Sequence, residues 1–507
     1  MPHISKKFEQ MKNSHRIENL VNSSLFPLVL FFLSFVFVSL FSRSTSFLYV
    51  FEGADPAIFK QMGRAILKGK ILYIDYFDNK GCLLYFIHAL GLWLGGDFII
   101  LLMQTSTLTI TLIIWDRMLA LYRNEKERFI CICIALVMLM CFYGAGDQTQ
   151  EWCLPFISYP LLVYFRSYKT KTEVRLIQML IIGLCFGIVT FIQINNACAF
   201  LGFVVYLWIQ YLGKKEFKKL FQSICCFFGG WIIIAIPCVL YFYIKAGWHG
   251  VYEMVYASFL SNLDYISIQK HVKWFHWLPY TLFLLSFMTM YTINSFRNKD
   301  LFIPFIISIL LFVGTFGRLC NSFYLIDILP LIIILMMTIS FQKFKILYLV
   351  FSSFLIVCTL FLGSIVFFHL INDLILRKEK EIAIYDHFHR CVEKIPETER
   401  DSIFNYNLFW HGYSIMEHEK LLQCNRVSIL YDLPSLMEEE TTKMNYPPKW
   451  IIISWNRRSL KRDKLFIRYY YELVDSFQYD KLYFTKPKIG NSFEISLYRR
   501  KDPVPAP

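Results

Sequence analysis

The sequence predicts a mostly helical, polytopic membrane protein with about eleven transmembrane helices, followed by a small C-terminal α/β domain. Its 507 residues are 56% hydrophobic and only 18% charged, whereas about a quarter of the residues in a soluble domain are charged. Apolar runs of roughly twenty residues, the length that crosses a bilayer, recur between residues 25 and 370. From residue 371 onward the composition is charged and mixed, which is typical of a soluble domain.

The orientation of the membrane part depends on the apolar run 83–94. This run has about a dozen apolar residues, whereas about twenty are needed to cross the bilayer, so we expect it to stay at the surface. With a cytoplasmic N-terminus, the basic clusters between the later spans then face the cytoplasm, as the positive-inside rule requires. The first outer loop carries basic residues of its own, which a long loop tolerates. The predicted spans are 25–42, 97–115, 129–143, 150–165, 176–192, 197–212, 220–244, 278–293, 301–316, 323–341 and 346–370.

The net charge of +14 has the same explanation, because Lys and Arg mark cytoplasmic loops, and it does not indicate a nucleic-acid partner. No small-residue cleavage site follows the first apolar run, which therefore reads as a retained span rather than a signal peptide. The protein is predicted to be a multi-pass protein of the inner (cytoplasmic) membrane of the cell. The predicted parts are a cytoplasmic tail at 1–24, a transmembrane domain at 25–370 whose first outer loop is 43–96, and a soluble extracytoplasmic domain at 371–507.

The first outer loop carries two neighbouring acidic residues, Glu52 and Asp55. Asp55-Pro56 predicts the start of a helix, with Asp55 at the N-cap and Pro56 at the first helical position. Two carboxylates this close at a membrane surface can bind a metal ion, or share a proton so that one of them acts as a base. The alternative is that Asp55 only caps the helix.

The helix that follows is predicted to run to about Lys68 and to stop at Gly69. It has an apolar face and a basic face on which Lys60, Arg64 and Lys68 lie at i, i+4 and i+8. This pattern is typical of a helix that lies in the membrane interface and contacts anionic lipid headgroups.

A second charged cluster, Asp75, Asp78 and Lys80, follows in the same loop. Lys80 immediately precedes the short apolar run, so it lies where membrane meets water, and an ammonium group there suits a phosphate headgroup. The alternative is an ordinary solvated loop.

Two later outer turns also carry charges. Asp147 and Glu151 lie in GAGDQTQEW, where they either keep the turn outside and wet or add carboxylates to the outer cavity of the first loop. Arg318 lies in the short outer turn GTFGRLCNSFY, and a lone Arg between two apolar spans needs a partner. That partner is either an acidic residue or a phosphate group, which the planar guanidinium fits well.

The C-terminal domain is predicted to contain a buried strand at Trp450–Trp455 and a half-exposed strand at Ser492–Tyr498, whose sequence alternates. Between them, 463–476 has helical character. Its cysteines, Cys391 and Cys424, could form a disulfide in an oxidising compartment. No Walker loop, G-x-S-x-G or Gly-rich dinucleotide motif occurs in the chain, so a nucleotide-dependent reaction finds no support.

The segment DPAIFKQMGRAILKGKILYIDYFDNKGCLLYFIHALG resembles the GT-C class of membrane glycosyltransferases, in particular the bacterial members of glycosyltransferase family 39 that are related to protein O-mannosyltransferases and aminoarabinose transferases. That family tends to show an acidic residue, an amphipathic helix, G-x-x-x-Y-x-D and then D-x-K-G-P-L. The likeness extends more weakly to GDQTQEW, GIVTFIQINN and GRLCNSFYLIDILP. This sequence has Cys82 where the family has proline and Asn79 where it often has histidine.

The resemblance implies a GT-C-like fold, a sugar donor linked to polyprenyl phosphate, and an acceptor hydroxyl on a lipid, glycan or protein outside the cytoplasm. Membrane lipids are the other expected partners. It implies inversion at the anomeric carbon, with Asp55 as the base and Glu52 as its partner or as the ligand of a divalent cation such as Mg²⁺ or Mn²⁺. Lys80 and Arg318 would stabilise the departing phosphate. The supporting residues of the outer cavity would be Asp75, Asp78, Asp147 and Glu151.

Two other functions remain open at this point. An O-antigen polymerase or ligase would have its large outer loop late in the chain, whereas the acidic loop here follows the first span. A transporter or flippase would carry ionisable residues within its spans and some internal repeat, whereas the acidic residues here lie at the outer ends of the spans.

Overall fold

A computed structural model describes residues 21–44, 52–144, 146–261, 289, 298–316, 322–338, 378–401, 403–406, 414, 416–424, 448–455, 471–480 and 492–501. Contacts between residues divide the chain into two compact units. Unit 1 comprises Met1–Ser42, Leu101–Tyr241 and Gln269–Phe368, and unit 2 comprises Arg43–Ile100, Phe242–Ile268 and His369–Pro507. The division into an N-terminal tail, a membrane domain and a soluble domain stays a prediction.

The described part of the chain is mostly helical, as its sequence predicts. The helices are α1 Phe26–Phe41, α2 Ala54–Leu67, α3 Cys82–Leu94, α4 Asp97–Leu119, α5 Glu125–Phe142, α6 Thr149–Thr170, α7 Leu176–Gln193, α8 Cys198–Gly213, α9 Phe217–Val255, α10 Lys299–Phe316, α11 Leu329–Thr338 and α12 Lys378–Glu393. Short 3₁₀ segments occupy Ile194–Ala197, Ser322–Ile328 and Glu397–Glu399, and a π-turn occupies Tyr256–Leu260.

Three of these helical stretches are long and apolar enough to cross a membrane, namely Asp97–Leu119, Leu176–Gly213 and Phe217–Leu260. The last is interrupted at Ala246 and Gly247, whose backbone is not helical, just after the predicted end of its span. The predicted spans 278–293 and 346–370 lie outside the described residues, apart from Thr289. The total of about eleven spans therefore stays a prediction.

The short helix α3 has 13 residues. At about 1.5 Å per residue it is roughly 20 Å long, whereas the hydrocarbon core of a bilayer is about 30 Å thick. Its length therefore agrees with the expectation that this apolar run does not cross the membrane.

Two single-cysteine variants test the orientation that follows. In a cysteine-free background, Ala120→Cys is expected to be shielded from a membrane-impermeant thiol reagent on intact cells, because it follows α4 on the predicted cytoplasmic side. Trp248→Cys is expected to be labelled, because Trp248 is 73% exposed and follows the break in α9 on the predicted outer side. The reverse labelling pattern would mean that 83–94 crosses the bilayer.

Helices of unit 1 pack closely where a glycine removes the side chain. A Cβ atom at Gly183 would lie 1.9 Å from the carbonyl oxygen of Phe227, and one at Gly202 would lie 2.4 Å from that of Pro304. Glycine at these positions lets α7 contact α9, and α8 contact α10, backbone against backbone. Such close approach is how helices associate in membranes, where no hydrophobic effect drives them together.

Unit 2 contains the first loop. Its helix α2 ends where the sequence predicts, because Gly69 has the left-handed backbone (φ +80°) that stops a helix. Helix α2 packs on α3 at Gly63, where a Cβ atom would lie 2.8 Å from the backbone nitrogen of Ala89. Phe59 of α2 contacts α3 beside this crossing, with its ring centroid 6.2 Å from that of Tyr85.

Gly63→Ala is expected to lower the free energy of unfolding by about 1–3 kcal/mol, because the new methyl group meets backbone atoms that cannot move aside. Thermal unfolding of the purified protein in detergent would measure the loss. Gly213→Ala is the control, since a Cβ atom there has nothing within 4 Å. Equal effects of the two substitutions would contradict the close contact between α2 and α3.

The C-terminal part of unit 2 contains a mixed four-stranded sheet in the order β1-β2-β4-β3. The strands are β1 Ile403–Tyr406, β2 Trp450–Trp455, β3 Tyr471–Asp480 and β4 Ser492–Arg500. Strand β1 is parallel to β2, and β4 is antiparallel to both β2 and β3. The two predicted strands are thus confirmed.

Strand β2 is buried on both faces, which explains its continuous apolar sequence. Trp450 and Ile452 belong to one apolar core, with residues of α12, whereas Ile451 and Ile453 belong to another. The helical prediction for 463–476 is wrong from Tyr471 onward, because these residues form β3 along the edge of β4; the rest of that segment lies outside the described residues. Cys391 and Cys424 are not joined by a disulfide.

Candidate functional site

The structure corrects the predicted start of the first-loop helix. Helix α2 begins at Ala54, and its N-cap is Gly53, which makes no side-chain capping hydrogen bond. Asp55 therefore lies inside the first turn, and Pro56 is not the first helical residue. The carboxyl group of Asp55 is partly exposed, at the helix end where the backbone dipole stabilises a negative charge.

Glu52 does not pair with Asp55 but with a buried lysine. The Nζ atom of Lys60 lies 2.7 Å from Oε1 of Glu52 and 2.7 Å from Oδ1 of Asp97, and the Lys60 side chain is 0% exposed. The other carboxyl oxygen of Glu52 is buried and has no hydrogen-bond partner among the described residues. Glu52 is thus enclosed in the protein, whereas Asp55 reaches the surface.

Burial raises the pKa of Glu52 to about 8, although the Lys60 ammonium opposes the shift. Burial also acts to lower the pKa of Lys60, but the two carboxyl groups outweigh it, so the pKa of Lys60 is raised and its charge is kept. At neutral pH we therefore expect Glu52 to hold its proton and Lys60 to keep its charge.

The groups around Glu52 do not fit the divalent cation that the sequence left open. A metal ion on the Glu52 carboxyl group would lie beside the Lys60 ammonium, which is 2.7 Å away and repels it. Among the described residues, no group of three or more His, Cys, Asp and Glu side chains is arranged to hold a metal ion. We therefore derive no chemical step through a metal.

The basic face of α2 contacts protein, so the prediction that it touches lipid headgroups is wrong. Lys60 is buried, as described above. The guanidinium of Arg64 donates to both carboxyl oxygens of Glu417, and Lys68 donates to Asp401 over 2.9 Å. The partners of Arg64 and Lys68 both belong to the C-terminal part of unit 2.

Two further hydrogen bonds join the first loop to this C-terminal part. The hydroxyl of Ser414 donates to the backbone carbonyl of Glu52 over 2.7 Å, and Ser414 is 1% exposed. The hydroxyl of Tyr76 donates to the backbone carbonyl of Gln423. These contacts agree with the prediction that the first loop and the C-terminal domain lie on the same side of the membrane.

The second charged cluster of the first loop is used to shape the loop. The carboxyl group of Asp75 accepts from the backbone N–H of Ile71 over 2.7 Å, and that of Asp78 accepts from the hydroxyl of Tyr85 over 2.6 Å. The ammonium of Lys80 is partly exposed and donates to the side-chain oxygen of Asn79 over 2.5 Å. All three residues are partly exposed, and Lys80 is the cation among them.

Asp147 and Glu151 are buried in unit 1, so the interpretation that they keep the outer turn wet is wrong. Asp147 is 0% exposed, has a left-handed backbone (φ 58°), and accepts from the indole N–H of Trp152 over 2.7 Å. Glu151 accepts from the backbone N–H of Gln148 over 3.0 Å, which caps the start of α6.

Glu151 also borders a small cleft in unit 1. The cleft is lined by Gln104, Thr107, Leu108, Leu139, Tyr143, Glu151, Trp152 and Leu154. The side-chain nitrogen of Gln104 is buried and has no hydrogen-bond partner among the described residues.

Arg318 lies outside the described residues. Its predicted role, and the predicted convergence of Asp147 and Arg318 with the first loop, therefore stay predictions. Sequence reasoning missed Lys60, Asp97, Ser414 and Glu417 as members of the first-loop site. A usable signal existed only for Lys60, which lies among the apolar residues Ile58, Phe59 and Met62.

Comparisons with known proteins establish the fold. No protein-family model matches the sequence, and no characterised protein matches it in sequence. The structure is similar to that of ArnT from Cupriavidus metallidurans, solved bound to undecaprenyl phosphate, with a TM-score of 0.54 and 10% identity over 94% of this chain and 98% of that one.

A lower similarity is found to the archaeal oligosaccharyltransferase AglB from Archaeoglobus fulgidus, solved with an inhibitory peptide and a dolichol-phosphate. Its TM-score is 0.48, with 12% identity over 95% of this chain and 75% of that one. The similarity to ArnT shows that the chain has an ArnT-like fold.

Proposed function

We propose that this protein is an inverting glycosyltransferase that moves a sugar from a polyprenyl-phosphate-linked donor to a hydroxyl group of a cell-envelope lipid, glycan or protein. The proposal rests mainly on the ArnT-like fold, which extends over 94% of the chain. The ArnT structure contains undecaprenyl phosphate, the type of lipid carrier that such a donor would leave behind. The reaction would take place at the outer side of the membrane.

In the proposed reaction, Asp55 takes the proton of the acceptor hydroxyl as its oxygen attacks the anomeric carbon. The bond between that carbon and the phosphate oxygen breaks, and the electron pair leaves with the polyprenyl phosphate. Asp55 suits this role better than Glu52 does, because its carboxyl group is partly exposed whereas that of Glu52 is enclosed against Lys60.

The departing phosphate needs positive charge nearby but no acid, since it leaves as a stable anion. Lys80 is proposed to supply this charge from the first loop, with Arg318 as the second cationic group. Asp75 and Asp78 hold the loop in shape around Lys80 through the hydrogen bonds described above. Asp147 and Glu151 are proposed to support the outer end of α6 and are not assigned a chemical step.

The test is sugar transfer by the purified protein in lipid nanodiscs, with a panel of radiolabelled polyprenyl-phosphate sugars and a membrane extract as acceptor. We expect one donor to lose its sugar and to release polyprenyl phosphate. Mass spectrometry of surface glycans from a deletion strain would then identify the sugar and its acceptor. Movement of an intact lipid-linked glycan across the membrane, without cleavage of any donor, would favour a flippase. Joining of lipid-linked glycans to one another would favour a polymerase.

A further inference from the structure

The first loop and the C-terminal domain contribute to one cluster of charges around the buried Glu52. The loop supplies Glu52, Lys60 and Arg64, and the C-terminal domain supplies Glu417, whose side chain is 3% exposed. Asp97, at the start of α4, is the third carboxyl group. These five side chains are linked by the ion pairs Lys60–Glu52, Lys60–Asp97 and Arg64–Glu417.

The cluster has three carboxyl groups but only two cations, so one carboxyl group is left without a countercharge of its own. Glu52 is that group, because Lys60 also pairs with Asp97 and because Arg64 pairs with Glu417. The negative charge of Glu417 acts on Glu52 in the same direction as burial, toward the protonated state. His418 and Asp55 are the other titratable groups nearby, and His418 interacts with Asp97.

The C-terminal domain also holds the backbone at this point. Ser414 donates its hydroxyl hydrogen to the carbonyl of Glu52, and the next residue, Gly53, is the N-cap of α2. Arg64 fixes the same helix one turn beyond Lys60 through Glu417. The C-terminal domain therefore holds α2, whose first turn carries Asp55, at two points. Ser414 holds the peptide before the helix, and Glu417 holds Arg64 within it.

We propose that Ser414 and Glu417 are positioning residues of the first-loop site, so that the C-terminal domain completes this site rather than forming a separate module. The charge of Glu417 adds to burial in favouring the protonated form of Glu52, and Glu417 holds α2 through Arg64. Ser414 fixes the peptide that leads into α2. The expected effect on the transfer rate rests on the proposed glycosyltransferase function. The expected effect on the protonation of Glu52 does not.

Glu417→Gln is the first test, with Asp401→Asn as the matched control. Both substitutions neutralise a carboxyl group of the C-terminal domain that pairs with a basic residue of α2, but the Lys68–Asp401 pair is exposed. We expect Glu417→Gln to lower the transfer rate by about 10- to 100-fold, because a small displacement of the base is costly. The pH profile of transfer should shift as well. Asp401→Asn should change neither the rate nor the profile.

Ser414→Ala tests the positioning of α2 without changing the charge of the cluster. It removes the hydrogen bond to the Glu52 carbonyl and leaves every charge in place, so the transfer rate should fall while the pH profile stays where it is. A wild-type rate in both Ser414→Ala and Glu417→Gln, with an unshifted pH profile, would overturn the positioning role.

The electrostatic part can be measured without any sugar transfer. Because the pKa of Glu52 is raised above its unfolded value of 4.5, the stabilising contribution of its proton is complete at low pH and is lost as the pH rises through about 8. Glu52→Gln, which cannot ionise, should therefore raise the Tm at high pH relative to its effect at low pH. This pH-dependent gain should shrink in a Glu417→Gln background and persist in an Asp401→Asn background.

The transfer rate and the Tm test the proposed function and the effect of Glu417 on Glu52 separately. Absence of transfer by the wild-type protein would count against the proposed function, while the Tm measurements would still decide whether Glu417 controls Glu52. An equal gain from Glu52→Gln in the wild-type and Glu417→Gln backgrounds would overturn that control, whatever the protein catalyses.

Discussion

Asp55→Asn is expected to reduce sugar transfer by at least about 100-fold, because the amide cannot take the proton of the acceptor hydroxyl. The substitution is isosteric, and Asp55 lies in a partly exposed first turn. Losing its charge beside the helix dipole should therefore cost no more than about 1 kcal/mol of stability. Transfer is measured with the purified variant in nanodiscs, next to its Tm and the amount inserted into the membrane.

Asp401→Asn serves as the control, because Asp401 is an exposed residue whose only described ion pair is with Lys68. A transfer rate near that of the wild type in Asp55→Asn would mean that another group accepts the proton. Loss of transfer together with a large fall in Tm would make Asp55 a structural residue.

Lys60→Met is expected to lower the free energy of unfolding by about 1–3 kcal/mol, because the buried carboxyl group of Glu52 and the part-exposed one of Asp97 lose their hydrogen-bond donor. The same substitution at Lys68, two turns along the same helix, should cost less than about 1 kcal/mol, since the Lys68–Asp401 pair is exposed. Both are measured by thermal or chemical unfolding in detergent, followed by tryptophan fluorescence. Comparable losses in the two variants would show that Lys60 is not enclosed by Glu52 and Asp97.

A second substitution identifies the cause of that loss. At high pH, where a buried Glu52 costs stability because the unfolded chain ionises it, Glu52→Gln added to Lys60→Met should return part of the lost stability. Asp97 would remain without its lysine, and the recovery should therefore be incomplete. No recovery at all would place the effect of Lys60 in its aliphatic packing rather than in its charge.

The residues of α2 mark the limit of what a local pattern predicts. Its periodicity and the glycine at position 69 predict the helix and its end, because both depend on neighbours within a few residues. The same periodicity describes a basic face equally well whether lipid headgroups or acidic side chains cover it. Arg64 and Glu417 are 353 residues apart, and nothing near either residue indicates the other.

The C-terminal sheet shows the same contrast. Trp450–Trp455 is recognisable because six apolar or small residues in a row suit a strand that is buried on both faces. Tyr471–Asp480 is not recognisable as a strand from its own sequence. It becomes a strand because it pairs with Ser492–Arg500. Short charged segments of this kind take the structure of whatever strand lies beside them.

The sequence by itself determined that this is a helical membrane protein, where most of its described helices begin and end, and that acidic and basic residues gather in the first loop. These features depend on the length and period of apolar runs, which are local. Only the tertiary structure decided that Glu52 forms an ion pair with Lys60 rather than lying beside Asp55, and that Asp97 pairs with the same ammonium. It also decided that the C-terminal domain holds the first loop through Glu417 and Ser414. A charged side chain is paired by whatever the fold brings within a few ångströms of it, and these partners come from distant parts of the chain.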